Sequence, residues 1–231
     1  MITSYTLNIM MEAKTVAALR ASGYTLYGFK AVSTAASGGM PTVWFDDTQY
    51  LQSTDIVWLG DYQAYASHTS VRENAIVMET ASADISLGQM LVIDANGNGT
   101  VKTGASQNAI SLLNQAPQPL TTGISEEVNG VVTPICALPI FPNMLETVTP
   151  EEKILLMFST QQLNSGTMVK TAASTGILVD LTVASCRSVS FDINTGWDAG
   201  DASWAQSVPA NTNIAGLLIE DPSYPQIAAN S

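Results

Sequence analysis

Short runs of β-forming residues, each cut off by a turn cluster, recur along nearly the whole chain. Ser4–Ile9 and Tyr24–Val32 come first. In the second run Tyr24, Leu26, Gly28, Lys30 and Val32 share one parity, and Thr25, Tyr27, Phe29 and Ala31 share the other. Thr42–Phe45, Ile56–Leu59, Ala75–Thr80, Met90–Ile93 and Ala109–Leu113 follow, then Val131–Ala137, Ile177–Val183 and Ser188–Ile193. Gly-, Asn- and Pro-rich clusters at 37–41, 94–99, 164–166 and 194–196 separate many of them. Segments this short bury little alone and must stack into layers. The expected fold is therefore mainly β, an antiparallel β-sandwich of jelly-roll or Greek-key type.

Two segments break the pattern. Met10–Arg20 is Ala-rich, carries Val16 and Leu19 at helical spacing, and is followed by Gly23. It predicts one short N-terminal helix. Thr149-Pro150-Glu151-Glu152 is a capping box with Pro at the first helical position. The β-forming Lys153–Thr160 after it predicts a single helical turn feeding a buried strand. Residues 1–231 read as a single β-rich domain, and if it has two lobes they meet near Gln115–Pro119.

Charge excludes several partners. The chain has 20 acidic and 8 basic residues, a formal charge of −12. No two basic residues lie within five positions of each other, so a phosphate-binding patch and a nucleic-acid partner are not expected. The densest apolar stretches, Ile135–Phe141 and Ile154–Phe158, fall well short of the ~20 residues of a transmembrane helix. The opening MITSYTLNIM has no secretory pattern, so the expectation is a cytoplasmic protein, or one released without a classical signal. Cys136 and Cys186 match no metal or redox spacing and read as buried free thiols.

Catalytic constellations are hard to assemble. The one histidine, His68, sits among Ser and Thr and reads as a loop residue. No GxSxG elbow places a serine nucleophile. The carboxylate pairs Asp46-Asp47, Glu126-Glu127, Glu151-Glu152 and Glu220-Asp221 are adjacent in sequence and read as solvated turn residues. No catalytic residue and no resident cofactor is expected. The sharpest metal motif is Asp94, Asn96 and Asn98 followed by Gly99, the first half of a calcium loop. Its second half fails, with Lys102 at position nine and Ala105 at position twelve, and an Asn-Gly hairpin explains the same residues. Trp197 and Trp204, in a Gly- and Asp-rich stretch, are the candidate ligand or partner contacts.

Ser4–Ile9, an aromatic strand, Val43-Trp44-Phe45 and Ile56-Val57-Trp58 with Tyr62 beyond occur in an order similar to that of bacterial rhizosphere-induced RhiA-type proteins. The resemblance covers the N-terminal third. It implies a β-rich, non-enzymatic protein and supplies no site residues. The chain departs from the family in the helical Met10–Arg20 and a longer C-terminal half.

The charged fraction is 12%, about half the roughly 25% usual in globular domains, and mean hydropathy is +0.18. A surface so poor in charge invites covering. The leading expectation is a non-enzymatic, self-associating structural protein forming a homo-oligomer, filament or ordered inclusion. A β-pore toxin is the first alternative, with Thr167–Val183 as an amphipathic hairpin turning at Ala173–Gly176 and a membrane as partner. A lectin-like carbohydrate-binding module is the second.

Overall fold

The computed structural model describes residues 4–104 and 106–222, so Ala105 of the candidate calcium loop lies outside the described residues. In chain order the elements are β1 (Ser4–Met10), α1 (Ala13–Ala21), β2 (Thr25–Thr34), β3 (Met40–Pro41), β4 (Phe45–Asp47), β5 (Ser53–Ser67), β6 (Glu79–Ile85), β7 (Gln89–Ile93), β8 (Gly99–Thr103) and β9 (Ile110–Asn114). The second half adds β10 (Leu120–Val128), β11 (Val131–Pro134), β12 (Cys136–Ile140), β13 (Leu145–Ser159), β14 (Gly176–Asp180), β15 (Cys186–Asp192), β16 (Gly196–Asp198), β17 (Ala205–Val208), α2 (Ala215–Leu218) and β18 (Ile219–Glu220).

The protein is mainly β. One sheet runs β16-β15-β1-β5-β10-β12-β3, with β6 beside β5 and β11 beside β10. The other runs β17-β14-β13-β9-β7-β8, with β2 beside β13 and carrying β4 and β18. Both sheets are mixed, which corrects the expectation of antiparallel pairing alone. β1 lies parallel to β15, β7 to β9 and β18 to β2. The β1–β15 neighbours are far apart in sequence, which leaves ample chain for the crossover a parallel pair needs.

Side chains of both sheets meet in one core. Leu7, Ile9, Ile56 and Ile124 of the first sheet share it with Leu91, Ile110, Ile154 and Leu156 of the second. The opposite parity of β2 and β13, with Tyr27, Phe29, Leu155 and Met157, is covered by Val169, Ala172, Val208, Ile214 and Leu218. β2 is therefore buried on both faces. The chain passes between the sheets at Gln115–Pro119, where Asn114 accepts from the Ala116 amide at 2.9 Å and donates to Gln118 O at 3.0 Å.

Helix α1 forms as expected, with Val16 and Leu19 on its buried side. The capping box does not form a helical turn. β13 runs unbroken from Leu145 to Ser159, with a bulge that pairs Pro150 with Val32 but Ile154 with Lys30. Proline cannot donate to the ladder, and the strand bulges beside it. The hairpin that the toxin alternative places at Thr167–Val183 does not form. Thr167, Met168 and Thr171 make only isolated bridges, and β14 lies between β13 and β17. Val179 and Leu181 are buried while Val183 stands exposed. Among the described residues no helix is long and apolar enough to cross a membrane.

Candidate ligand cleft

β5 is the longest strand of its sheet, and among the described residues two strands share one of its edges. β1 pairs with it from Ser53 to Leu59, and β6 pairs with it from Tyr62 to Ser67. Among the described residues Gly60 and Asp61 have no partner on this edge, and on the other edge the register with β10 shifts between Glu126 and Val128. Ile56, Trp58 and Tyr62 are buried, whereas Leu59, Gly60 and Asp61 are exposed, so the strand is uncovered at Gly60, which carries no side chain. A Cβ built there would come no closer than 3.5 Å to any atom, the nearest being the Tyr62 hydroxyl. A cleft of about 810 Å³ opens at this point.

Tyr5 and Tyr62 form aromatic walls of the cleft, and Leu87 and Val132 are its apolar contributors at the rim. Asp61, Asp84, Glu127 and Glu152 supply carboxylates, and among the described residues no Lys, Arg or His lines it. Tyr5 is held in place by stacking on Trp58, with centroids 5.4 Å apart and planes 13° apart. Trp58 in turn meets Trp44 edge-on at 5.6 Å.

Behind this wall lies a charged cluster inside the core. Lys30 crosses from the second sheet to the first and pairs with Glu126, both side chains being fully buried. Lys30 Nζ also lies 3.2 Å from Glu152 Oε2. It stands 5.4 Å from the ring centroids of both Trp44 and Trp58 and 6.0 Å from that of Tyr62, within cation–π range. Trp58 Nε1 donates to Glu152 Oε2 at 3.0 Å, and Trp44 Nε1 donates to the Glu126 carbonyl at 3.1 Å. The bulge in β13 brings Glu152 here: the extra residues between Pro150 and Ile154 loop it toward Lys30. Glu126 Oε1 is buried without a hydrogen-bond partner.

Electrostatics follow from this crowding. Burial pushes the Glu126 carboxyl up to about 7 against the pull of Lys30, and Glu152 and Asp61 push it the same way. Burial raises the Tyr62 phenol, with Glu126 and Glu152 adding to the shift. Tyr5 is raised by the same causes.

Glu126-Glu127 on β10 and Glu151-Glu152 on β13 are therefore strand residues, which corrects their reading as solvated turns. Glu126 sits on the inward parity of β10 and Glu127 on the outward, so adjacency sends one carboxylate into the core and one to the surface. The one signal in the chain was Lys30, a charge on the same parity as Leu26 and Val32 in an apolar strand. A charge buried there must find a partner.

The residues singled out from sequence lie elsewhere. Asp94 Oδ1 accepts from the amides of Asn96 and Asn98 at 2.8 and 2.9 Å, and its Oδ2 accepts from Asn98 Nδ2. These bonds hold the carboxyl below its usual range, the Asn98 amide contributing most. Among the described residues no three His, Cys, Asp or Glu side chains converge as metal ligands. Trp197 is half-buried and stacks on Phe158 at 5.4 Å; Trp204 is half-buried under the Arg187 guanidinium, 4.7 Å from its ring. Neither joins the cleft. His68 is exposed beyond the end of β5. Cys136 is buried, but Cys186 is exposed at the start of β15, which corrects its reading as a buried thiol. No protein-family model matches the chain, and no curated protein or solved structure matches it significantly.

Proposed function

We propose that the protein is a non-catalytic β-sandwich, of Greek-key or jelly-roll type, that binds a ligand in the cleft at Gly60. The observation that carries this reading is the uncovered Gly60, where the described pairing of β5 stops on one edge and shifts register on the other. It leaves the cleft open beside two tyrosines and a carboxylate held by Lys30 and Trp58. Concave sites with an apolar body and a few fixed polar groups are where proteins hold small ligands. Ligand titrations followed by Trp fluorescence test it, because Trp58 backs the Tyr5 wall. A saturable change lost in Gly60→Leu supports the reading; a change that persists in Gly60→Leu removes it.

A second reading, self-association with a structural role, is favoured by an apolar surface that adjoins the cleft at Val132. Val57 and Leu59 on β5 and Val131 and Val132 on β11 are all exposed, on strands flanking β10. Apolar groups on neighbouring strands are a surface that a second copy can cover. Light scattering across a concentration series tests it, and a monomer at the highest concentration removes it.

A further inference from the structure

We propose that the cleft receives the positively charged head of an organic cation, a primary ammonium or a guanidinium group, passed by Gly60 between Tyr5 and Tyr62 onto Glu152. The inference rests on the binding reading above and names its ligand class.

Three independent features converge on it. The first is sign. Among the described residues four carboxylates line the cleft and no basic side chain does. The second is the buried cluster behind the wall. Lys30 is shared by Glu126 and Glu152, so the three groups carry a net negative charge when both acids are ionised. Glu126 faces Tyr62 in the strand ladder, and its Oε1 is buried without a partner. Glu152 Oε2 already accepts from Trp58 and meets Lys30, which leaves its other oxygen for a new donor at the cleft. Burial raises the phenols of Tyr5 and Tyr62 most, and Glu126 and Glu152 add to the rise.

The third feature separates an organic cation from a metal ion. A divalent ion needs several oxygen ligands converging within one coordination sphere. No three acidic side chains among the described residues do so. Spread carboxylates beside aromatic faces suit instead a bulky, weakly hydrated cation that uses cation–π contact and charge-assisted hydrogen bonds together. The apolar Leu87 and Val132 offer a surface for a carbon stem. A neutral sugar leaves Glu152 uncompensated, and an anion is repelled.

The probes are agmatine and putrescine, with glucose, succinate and calcium as comparisons, titrated by calorimetry. Agmatine and putrescine are expected to bind, and binding is expected to weaken as salt is raised. Gly60→Leu grows a side chain toward the Tyr62 hydroxyl and is expected to weaken binding at least ~10-fold. Glu152→Gln should do the same. Because Glu152 also holds Trp58 and Lys30, Asp61→Asn combined with Glu127→Gln serves as the variant outside the core, with several-fold weakening expected. Glucose or succinate binding that Gly60→Leu abolishes, with no response to either amine, overturns the ligand class and leaves the cleft reading standing. Calcium binding in place of the amines also overturns it. Failure of every probe to bind removes both.

Discussion

Lys30 of the second sheet and Glu126 of the first form an ion pair with both side chains fully buried. The pair joins the two layers across a core that is otherwise mostly aliphatic and aromatic. Removing one partner strands the other. Lys30→Met is expected to cost about 3–5 kcal/mol near neutral pH, because two carboxylates lose their only buried cation. Lys30→Met combined with Glu126→Leu should recover much of that loss, since it removes the uncompensated charge. Urea unfolding of the single and double variants measures both. A double variant no more stable than Lys30→Met contradicts the account.

The same pair sets a pH dependence. Burial raises the Glu126 carboxyl from 4.5 to about 7 in the folded protein. Between those values the folded state holds a proton that the unfolded state has released. Its contribution to stability is complete below 4.5 and is lost as pH rises through 7, a change on the order of 3 kcal/mol. Glu146 and Glu151 are also raised by burial and act in the same direction. Glu126→Gln isolates the one group: its stability between pH 5 and 8 should be flatter than that of the parent. Equal slopes in the two proteins, measured by urea midpoint, would falsify the assignment.

Two glycines in neighbouring strands should respond very unequally to the same change. A Cβ on Gly123 of β10 would lie 2.1 Å from the Cys136 carbonyl, which is backbone and cannot swing away. Gly123→Ala must push β12 off β10 and is expected to destabilise by roughly 2–4 kcal/mol. Gly60→Ala meets nothing closer than 3.5 Å and should stay within about 0.5 kcal/mol of the parent. Thermal melts compare them directly. A large loss in Gly60→Ala means the cleft is not open at that position.

Local chemistry made part of this fold legible. β1, β2 and β7 follow from alternation and β-branched content, and α1 from Val16 and Leu19 at helical spacing. β10 did not stand out, because Leu120–Val128 is rich in Thr, Ser and Glu. Its polar side chains are satisfied only through tertiary partners: Thr121 Oγ1 donates to Thr69 O and Thr122 Oγ1 to Tyr65 O, both at 2.6 Å. β5 read as four residues because Gly60-Asp61 looks like a turn, although both sit inside one strand. The cleft was hidden for the same reason. Its residues come from β1, β5, β6, β10, β11 and the β13 bulge, and no local pattern announces a site assembled from six strands. Lys30 on an apolar parity gave the one clue, without naming its partners.

The Asp94 turn should behave as a hairpin that closes on its own carboxylate. Asp94 accepts from Asn96 and Asn98, and the Asp94 amide donates back to Asn98 O at 2.9 Å. Asp94→Ala is therefore expected to lower the thermal midpoint by the same amount in calcium and in chelator. A calcium-induced rise in midpoint that Asp94→Ala abolishes would restore the cation-loop reading.

Salt separates the two binding surfaces. A second copy carries the same formal charge of −12, and Asp55 and Glu127 lie near the exposed Val57, Leu59 and Val132. Like charges oppose the approach of two such faces, and ions of the medium screen that repulsion. Self-association through this stripe should therefore strengthen as ionic strength rises, whereas capture of a cation at Glu152 should weaken. Val57→Thr with Leu59→Thr places strand-favouring β-branched residues at both positions while removing apolar surface, so it should abolish association without altering amine binding. Light scattering and calorimetry on that variant read the two effects separately. Association that persists in the variant, or that falls with added salt, moves the interface away from β5 and β11.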